Sequence, residues 1–311
     1  MNRRQTIPPQ QRYTVQQFNL EYPSDSACLE VLFLRRFPDG IAFCTECNAD
    51  RKHYRVQGRT CYACPTCGGH LFPLAGTIFH KSTTSLRTWF YVIKLMSSTR
   101  VGISAKQIQR ETGVTYKTAW RMMKQVRILM GENIKLQGAI EMDEAYFGGS
   151  DENKHRQLLR QGSKQTVLGI VERKGRVIAT VVPDAKKASL MPVIEAQVHP
   201  RAMIYTDGHA SFDGLRWMGK DHKHKTIDHS TGQYVDGYAH TNTIDGFWSL
   251  VKRGIKGVYQ VGREYLQSYL NEFAFRYNRR HVMRPMFTML LERTTTQVCP
   301  SAYTTRLEAG R

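Results

Sequence analysis

Acidic residues are scarce in this chain of 311 residues: 26 Asp and Glu stand against 45 Lys and Arg, a formal net charge of +19. An imbalance of that sign makes a polyanion the expected partner. Long apolar runs are missing too. No stretch approaches the roughly 18 continuous apolar residues of a membrane span. The opening MNRRQTIPPQQRYTVQQF also lacks the apolar core of a secretory signal. The chain therefore reads as cytoplasmic, with no membrane partner. Disorder is not the default, since hydrophobic residues make up 41% of the chain, enough for cores in two or three domains.

The basic excess is concentrated. Residues 81–135 hold eleven Lys and Arg against two acids, Glu111 and Glu132. Seven cysteines in a reducing compartment point to metal or free thiols before disulfides. Cys28 stands alone and reads as a core residue. Two CxxC pairs, Cys44 with Cys47 and Cys64 with Cys67, are separated by sixteen residues. Two residues between sulfurs let a tight knuckle point both thiolates at one ion, and two knuckles complete a structural zinc site. Cys61 with Cys64 is a rival second knuckle, whereas Gly68 and Gly69 suit a turn after Cys67. His70 and His80 read as surface or core.

Helical patterning begins at Thr83 or Ser85 with Leu86, Trp89, Phe90, Ile93 and Leu95 as a packing stripe. VGISAKQIQRETGVTYKTAWRMMKQVRILM then reads as helix, tight turn at Gly113, helix, with Ser104 and Thr115 as caps. The second helix carries Lys117, Thr118, Arg121, Lys124 and Arg127, the pattern of a DNA-binding helix-turn-helix. Plain structural hairpins share that length, and the basic bias favours DNA.

From Gly138 the pattern changes to strands: AIEMDEAYFGG, then KQTVLGIVERKGRVIATVVPD folded at Lys174-Gly175, a helix over 185–198, a strand ending at Asp207, and HKHKTIDHS. A polar loop is expected over 150–164. Asp143 and Asp207 end strands and Asp245 opens a helix, so three distant elements can converge on one magnesium or manganese site. Lys252, seven residues after Asp245, returns to the same helix face and suits a phosphate. Glu141 shares the strand face of Asp143 as a reserve ligand, and Glu144 points away. Phe247 and Trp248 read as core, with stacking on a terminal base as the other reading, and His240 as a residue near the scissile phosphate. The domain reading is a helical segment 1–40, zinc ribbon 41–80, helix-turn-helix 81–135, catalytic domain 138–285 and tail 286–311.

The ribbon, LAGTIFHKSTTSL, GISAKQIQRETGVTYKTAWRM, IEMDEAYFGG, YTDGH, HTNTIDGFWSLVKRG and EFAFRYNRR together resemble a bacterial insertion-sequence transposase of the Merlin-related DDE group, from about Tyr22 to Arg280. The resemblance implies an α/β, ribonuclease-H-like, retroviral-integrase-like mixed sheet with helices behind the ribbon and the all-α hairpin. It implies an enzyme that cuts transposon ends and joins them to target DNA with magnesium or manganese, as a homo-oligomer on DNA. Asp143 and Asp207 match the first two acids and Lys252 the phosphate-contacting lysine. Asp245 stands where Glu is usual, one methylene shorter, and Asn242 is an amide that could share its ion. Glu272, Arg276 and Arg279 are similar to a Glu-Arg-Arg signature, with an internal ion-pair network and direct DNA contact both open. Two other functions remain as alternatives: an inactive relic acting as a zinc-ribbon regulator, and a nuclease that cuts without joining.

Overall fold

The computed structural model describes residues 8–148, 164–207, 212, 223–227, 242–259 and 261–296; the side chains of Gln11, Asp207 and 223–227 lie outside that description. The loop expected over 150–164 falls outside it except for Lys164, and so does His240. The chain divides into two compact units: one of residues 1–99, 103–129 and 282–311, the other of residues 100–102 and 130–281.

The first unit opens with α1 (Val15–Glu21) and α2 (Asp25–Arg36). Ser24 caps α2 by accepting from the Ala27 amide at 3.3 Å, and the helix buries Cys28, Leu29, Leu32 and Phe33. Burial pushes the Cys28 thiol up to about 12, which keeps it neutral in the core. Five short strands follow: β1 (Ile41–Cys44), β2 (Ala49–Lys52), β3 (Tyr54–Arg55), β4 (Tyr62–Ala63) and β5 (His70–Leu71). They form a two-stranded and a three-stranded antiparallel sheet. Helix α3 (Leu86–Ser98), capped by Ser85, buries Trp89, Phe90, Val92, Ile93 and Met96. Then come α4 (Ala105–Thr112) and α5 (Tyr116–Met130). Ser104 and Thr115 accept from the third amide of each helix, at 3.1 and 3.2 Å. Gly113 ends α4 in the left-handed region at φ 71°, where a side chain would be strained.

The segment expected as a tail is structured. Met286–Thr296 forms a helix that packs on α2 and α3 within the first unit. Its Phe287 stacks on Tyr13 with ring centroids 4.6 Å apart and meets Phe18 and Tyr22 edge-on. The second unit is thus inserted into the first, which is built from segments on both sides of it. Burying Phe287, Leu290 and Leu291 contributes about 2 kcal/mol each, a large share of a typical domain's stability. A chain ending at His281 is expected to lose cooperative unfolding of the first unit. Thermal unfolding and limited proteolysis check this, and an unchanged midpoint would contradict it.

The second unit holds β6 (Ala139–Phe147), β7 (Gln165–Glu172), β8 (Val177–Val182), α6 (Lys187–Gln197), β9 (Met203–Asp207), β10 (Lys223–Ile227), α7 (Asn242–Gly257) and α8 (Leu266–Asn278). Sheet order is β10-β9-β6-β7-β8. β6, β7 and β8 are antiparallel, and β9 and β10 run parallel to β6. That order and direction, with helices on the sheet, is the ribonuclease-H-like fold expected from the sequence. Alternation along β6 sends Ile140 and Met142 into a core with Leu168, Ile170, Leu190, Ile194 and Ile204. It turns Glu141 and Asp143 to the face that α7 covers. At the β8 edge, α8 supplies amides in place of a further strand: Gln267 bonds the Val181 amide and the Ala179 carbonyl, and Asn278 both polar groups of Val177.

Candidate active site

Helix α7 carries Asp245 in its first turn and presents Ser249, Lys252, Arg253 and Lys256 on exposed positions. Its buried face, Ile244, Phe247, Trp248 and Val251, lies on the sheet. The helix comes close because Gly169 of β7 leaves room: a β-carbon there would sit 2.3 Å from Cζ2 of Trp248 and 2.8 Å from Cδ1 of Ile244. Gly169 is also the cross-strand partner of Asp143. Trp248 thereby reaches over the sheet, and its Nε1–H donates to Oδ2 of the half-buried Asp143 at 2.9 Å.

Asp143, Asp245 and Lys252 line one cleft of about 670 Å³, together with Trp248, Ser249, Arg253, Lys256 and Gly257. Asp207 closes β9, whose Thr206 pairs with Met142, so its backbone ends beside that of Asp143. Asn242 begins α7, exposed, and is not among the residues lining the cleft. Lys252 and Lys256 make no ion pair among the described residues. An acid-bearing cleft with such a cationic wall is suited to an anionic chain of phosphates.

Other expected residues lie elsewhere. Glu141 is fully buried and paired with Arg173 at 2.9 Å, so it is an internal anchor and not a reserve metal ligand. Glu272 and Arg276, 0% and 5% exposed, pair with each other, and the Tyr259 hydroxyl donates to Glu272 at 2.8 Å. Arg279 pairs with Glu132 at 2.5 Å. Of the two readings left open for these three, the geometry favours an internal network. On α5, Lys117, Arg121 and Lys124 are exposed and Thr118 half-buried. Arg127 is 2% exposed, which removes it from the expected DNA-contacting set. The role of Trp248 was missed, because a tryptophan three residues after an acid gives no signal beyond its apolar periodicity.

In the first unit, the ligand atoms of Cys44, Cys47, Cys64 and Cys67 all lie within 4.8 Å of one another. Cys44 Sγ is 3.4 Å from Cys67 Sγ, and Cys47 Sγ 3.8 Å from Cys64 Sγ. The second knuckle is therefore Cys64 with Cys67; Cys61 lies buried outside the cluster. Gly68 turns the chain at φ 75°, and Gly69 lets the backbone pass the sulfurs, its amide 3.4 Å from Cys67 Sγ. Four soft donors converging this tightly fit a structural zinc ion. Cys67→Ser is expected to lower zinc content below one ion per chain, and Cys61→Ser to leave it at one. Elemental analysis of the purified variants checks both, and the reverse ranking would contradict the assignment.

Comparison with known proteins agrees with this geometry. The ISXO2-like transposase domain matches residues 135–278, and the transposase zinc-ribbon domain matches residues 23–70. An uncharacterized protein in transposable element ISH50 of Halobacterium salinarum is 25% identical over 274 residues, 82% of this chain and 91% of that one. An uncharacterized transposase-like protein of Haemophilus influenzae is 32% identical over 105 residues, 34% of this chain and 83% of that one. With its ribonuclease-H-like sheet and its four-cysteine ribbon, the chain falls in the DDE transposase superfamily. Within that class, the chain belongs to the ISXO2-like family with an N-terminal zinc ribbon. Among the described residues, no helix is long and apolar enough to cross a membrane.

Proposed function

We propose that the protein binds the ends of an insertion sequence as double-stranded DNA, cuts them, and joins the liberated 3' hydroxyls to target DNA. The observation that carries this reading is the convergence of Asp143 and Asp245 on a cleft walled by Lys252, Arg253 and Lys256. Asp143, Asp207 and Asp245 would hold magnesium or manganese, an all-oxygen donor set of the kind hard cations take. A divalent ion held there supplies charge stabilisation at the scissile phosphate and a more acidic attacking hydroxyl. Lys252 would hold a phosphate oxygen beside it, and Arg253 next to it and Lys256 one helical turn further along would track the strand. Trp248 keeps the Asp143 carboxylate from rotating by donating to Oδ2.

In the first unit, Lys117, Thr118, Arg121 and Lys124 would rest on the DNA ends, and the four cysteines would hold zinc that fixes the ribbon. Two ends must be held together for joining, so the working form would be a dimer or larger assembly on DNA.

The experiment is a cleavage and strand-transfer assay on the element's terminal repeats with magnesium or manganese, run beside Asp245→Glu. Cut ends that join a target support the reading. Cutting without joining would identify a nuclease. Binding without cutting, with cleavage recovered in Asp245→Glu, would identify a disabled transposase; no cleavage by either would support a zinc-ribbon regulator.

A further inference from the structure

Three carboxylates from three separate elements must keep one arrangement, and one ion pair between a buried glutamate and a half-buried arginine touches all three elements. Glu141 of β6 is 0% exposed. Its Oε1 accepts from Nε of Arg173 at 2.9 Å and from the Thr243 hydroxyl at 2.9 Å. Its Oε2 accepts from the backbone amides of Thr243 and Ile244 at 2.8 and 3.1 Å. Both amides belong to the first turn of α7, where a helix leaves its donors without intrahelical partners. A strand carboxylate thus does for α7 what a capping side chain does from within the sequence.

Arg173 closes the group. Its guanidinium carbon lies 3.9 Å from the ring centroid of Tyr205 on β9, and Tyr205 is the register partner of Glu141 in the parallel β6–β9 pair. The anchored positions are equally spaced from the acids. Glu141 precedes Asp143 by two residues, Tyr205 precedes Asp207 by two, and Thr243 precedes Asp245 by two.

We propose that Glu141, held by Arg173, is the positioning residue for the three acids, fixing β6, β9 and the start of α7 at one point two residues behind each of them. The proposal rests on the catalytic reading above. An ionised carboxylate has roughly four acceptor sites, and among the described residues Glu141 accepts four hydrogen bonds, so its oxygens are taken up by protein donors and not by an ion.

The test titrates Mn²⁺ into zinc-loaded, full-length protein bound to an end duplex, for wild type, Glu141→Gln, Thr243→Val and the double variant, with single-turnover cleavage measured alongside. Both single variants are expected to bind the wild-type number of Mn²⁺ ions about 10–100-fold more weakly and to cut correspondingly slower, the size of loss that follows when groups supporting metal ligands are removed. DNA-end affinity and zinc content stay at wild-type values. The double variant is expected to be less impaired than the product of the two single effects, because both changes break one anchor. Thr243→Val deletes a single hydrogen bond and carries the test if Glu141→Gln does not fold. Loss of a whole Mn²⁺ ion in Glu141→Gln would overturn the proposal by making Glu141 a ligand. Unchanged Mn²⁺ affinity and cleavage in the variants would overturn it as well. Wild type that binds no Mn²⁺ would instead overturn the catalytic reading beneath it, a distinct result.

Discussion

Asp143→Asn is expected to leave affinity for DNA ends within about twofold of wild type while slowing cleavage on the order of 1000-fold, or about 4 kcal/mol of transition-state stabilisation. The substitution isolates charge from shape. Trp248 donates to Oδ2 of Asp143, and an amide oxygen in the same position accepts that bond equally well. The side chain therefore keeps its orientation on the α7 face of β6 and loses only the negative charge that a divalent ion requires. Single-turnover cleavage, with a band-shift control, checks both halves. Cleavage within tenfold of wild type would remove Asp143 from the chemistry. A loss of end binding would mean that the change had disturbed the fold.

Gly169→Ala is the second large effect, and it acts with no change of charge at all. A methyl at this position would meet Trp248 at 2.3 and 2.9 Å and Ile244 at 2.8 Å. An indole ring pinned between the sheet and its bond to Asp143 has no free rotamer to retreat to, so α7 must lift. Overpacking of this kind costs about 1–3 kcal/mol. A shift of about 1 Å in a catalytic group is enough to cost on the order of 100-fold in rate. The expected result is a lower melting temperature together with about 100-fold slower cleavage. Gly246→Ala, on the exposed side of the same helix where a β-carbon meets nothing within 4 Å, serves as the control. It should be neutral or slightly stabilising, since Ala favours a helix over Gly by about 1 kcal/mol. Equal behaviour of the two variants would contradict the close approach of α7 to β7.

Much of this arrangement is legible in the sequence because it is local. CxxC spacing names a knuckle, Ser85, Ser104 and Thr115 announce helix starts, and seven residues from Asp245 to Lys252 return to one helical face. Strand alternation correctly puts Glu141 on the face of Asp143. It carries no information about what stands opposite, and the donors that absorb Glu141 come from residues 173, 243 and 244. Arg127 was within reach of sequence reasoning: two steps of four, from Ala119 through Met123, lead to it along the buried stripe of α5. The return of Phe287, Leu290 and Leu291 to the first unit was not. An amphipathic helix reports that it needs a partner, and nothing in its own residues says which of two units supplies it.

The central claim is that acids from β6, β9 and α7 serve one phosphodiester site. It is tested most directly by incubating the full-length protein with a labelled terminal repeat and manganese, wild type beside Asp207→Ala, and identifying the ends produced. The account predicts a 3'-hydroxyl end that joins target DNA with wild type, and none with Asp207→Ala despite normal end binding. Equal cleavage by both proteins would contradict it.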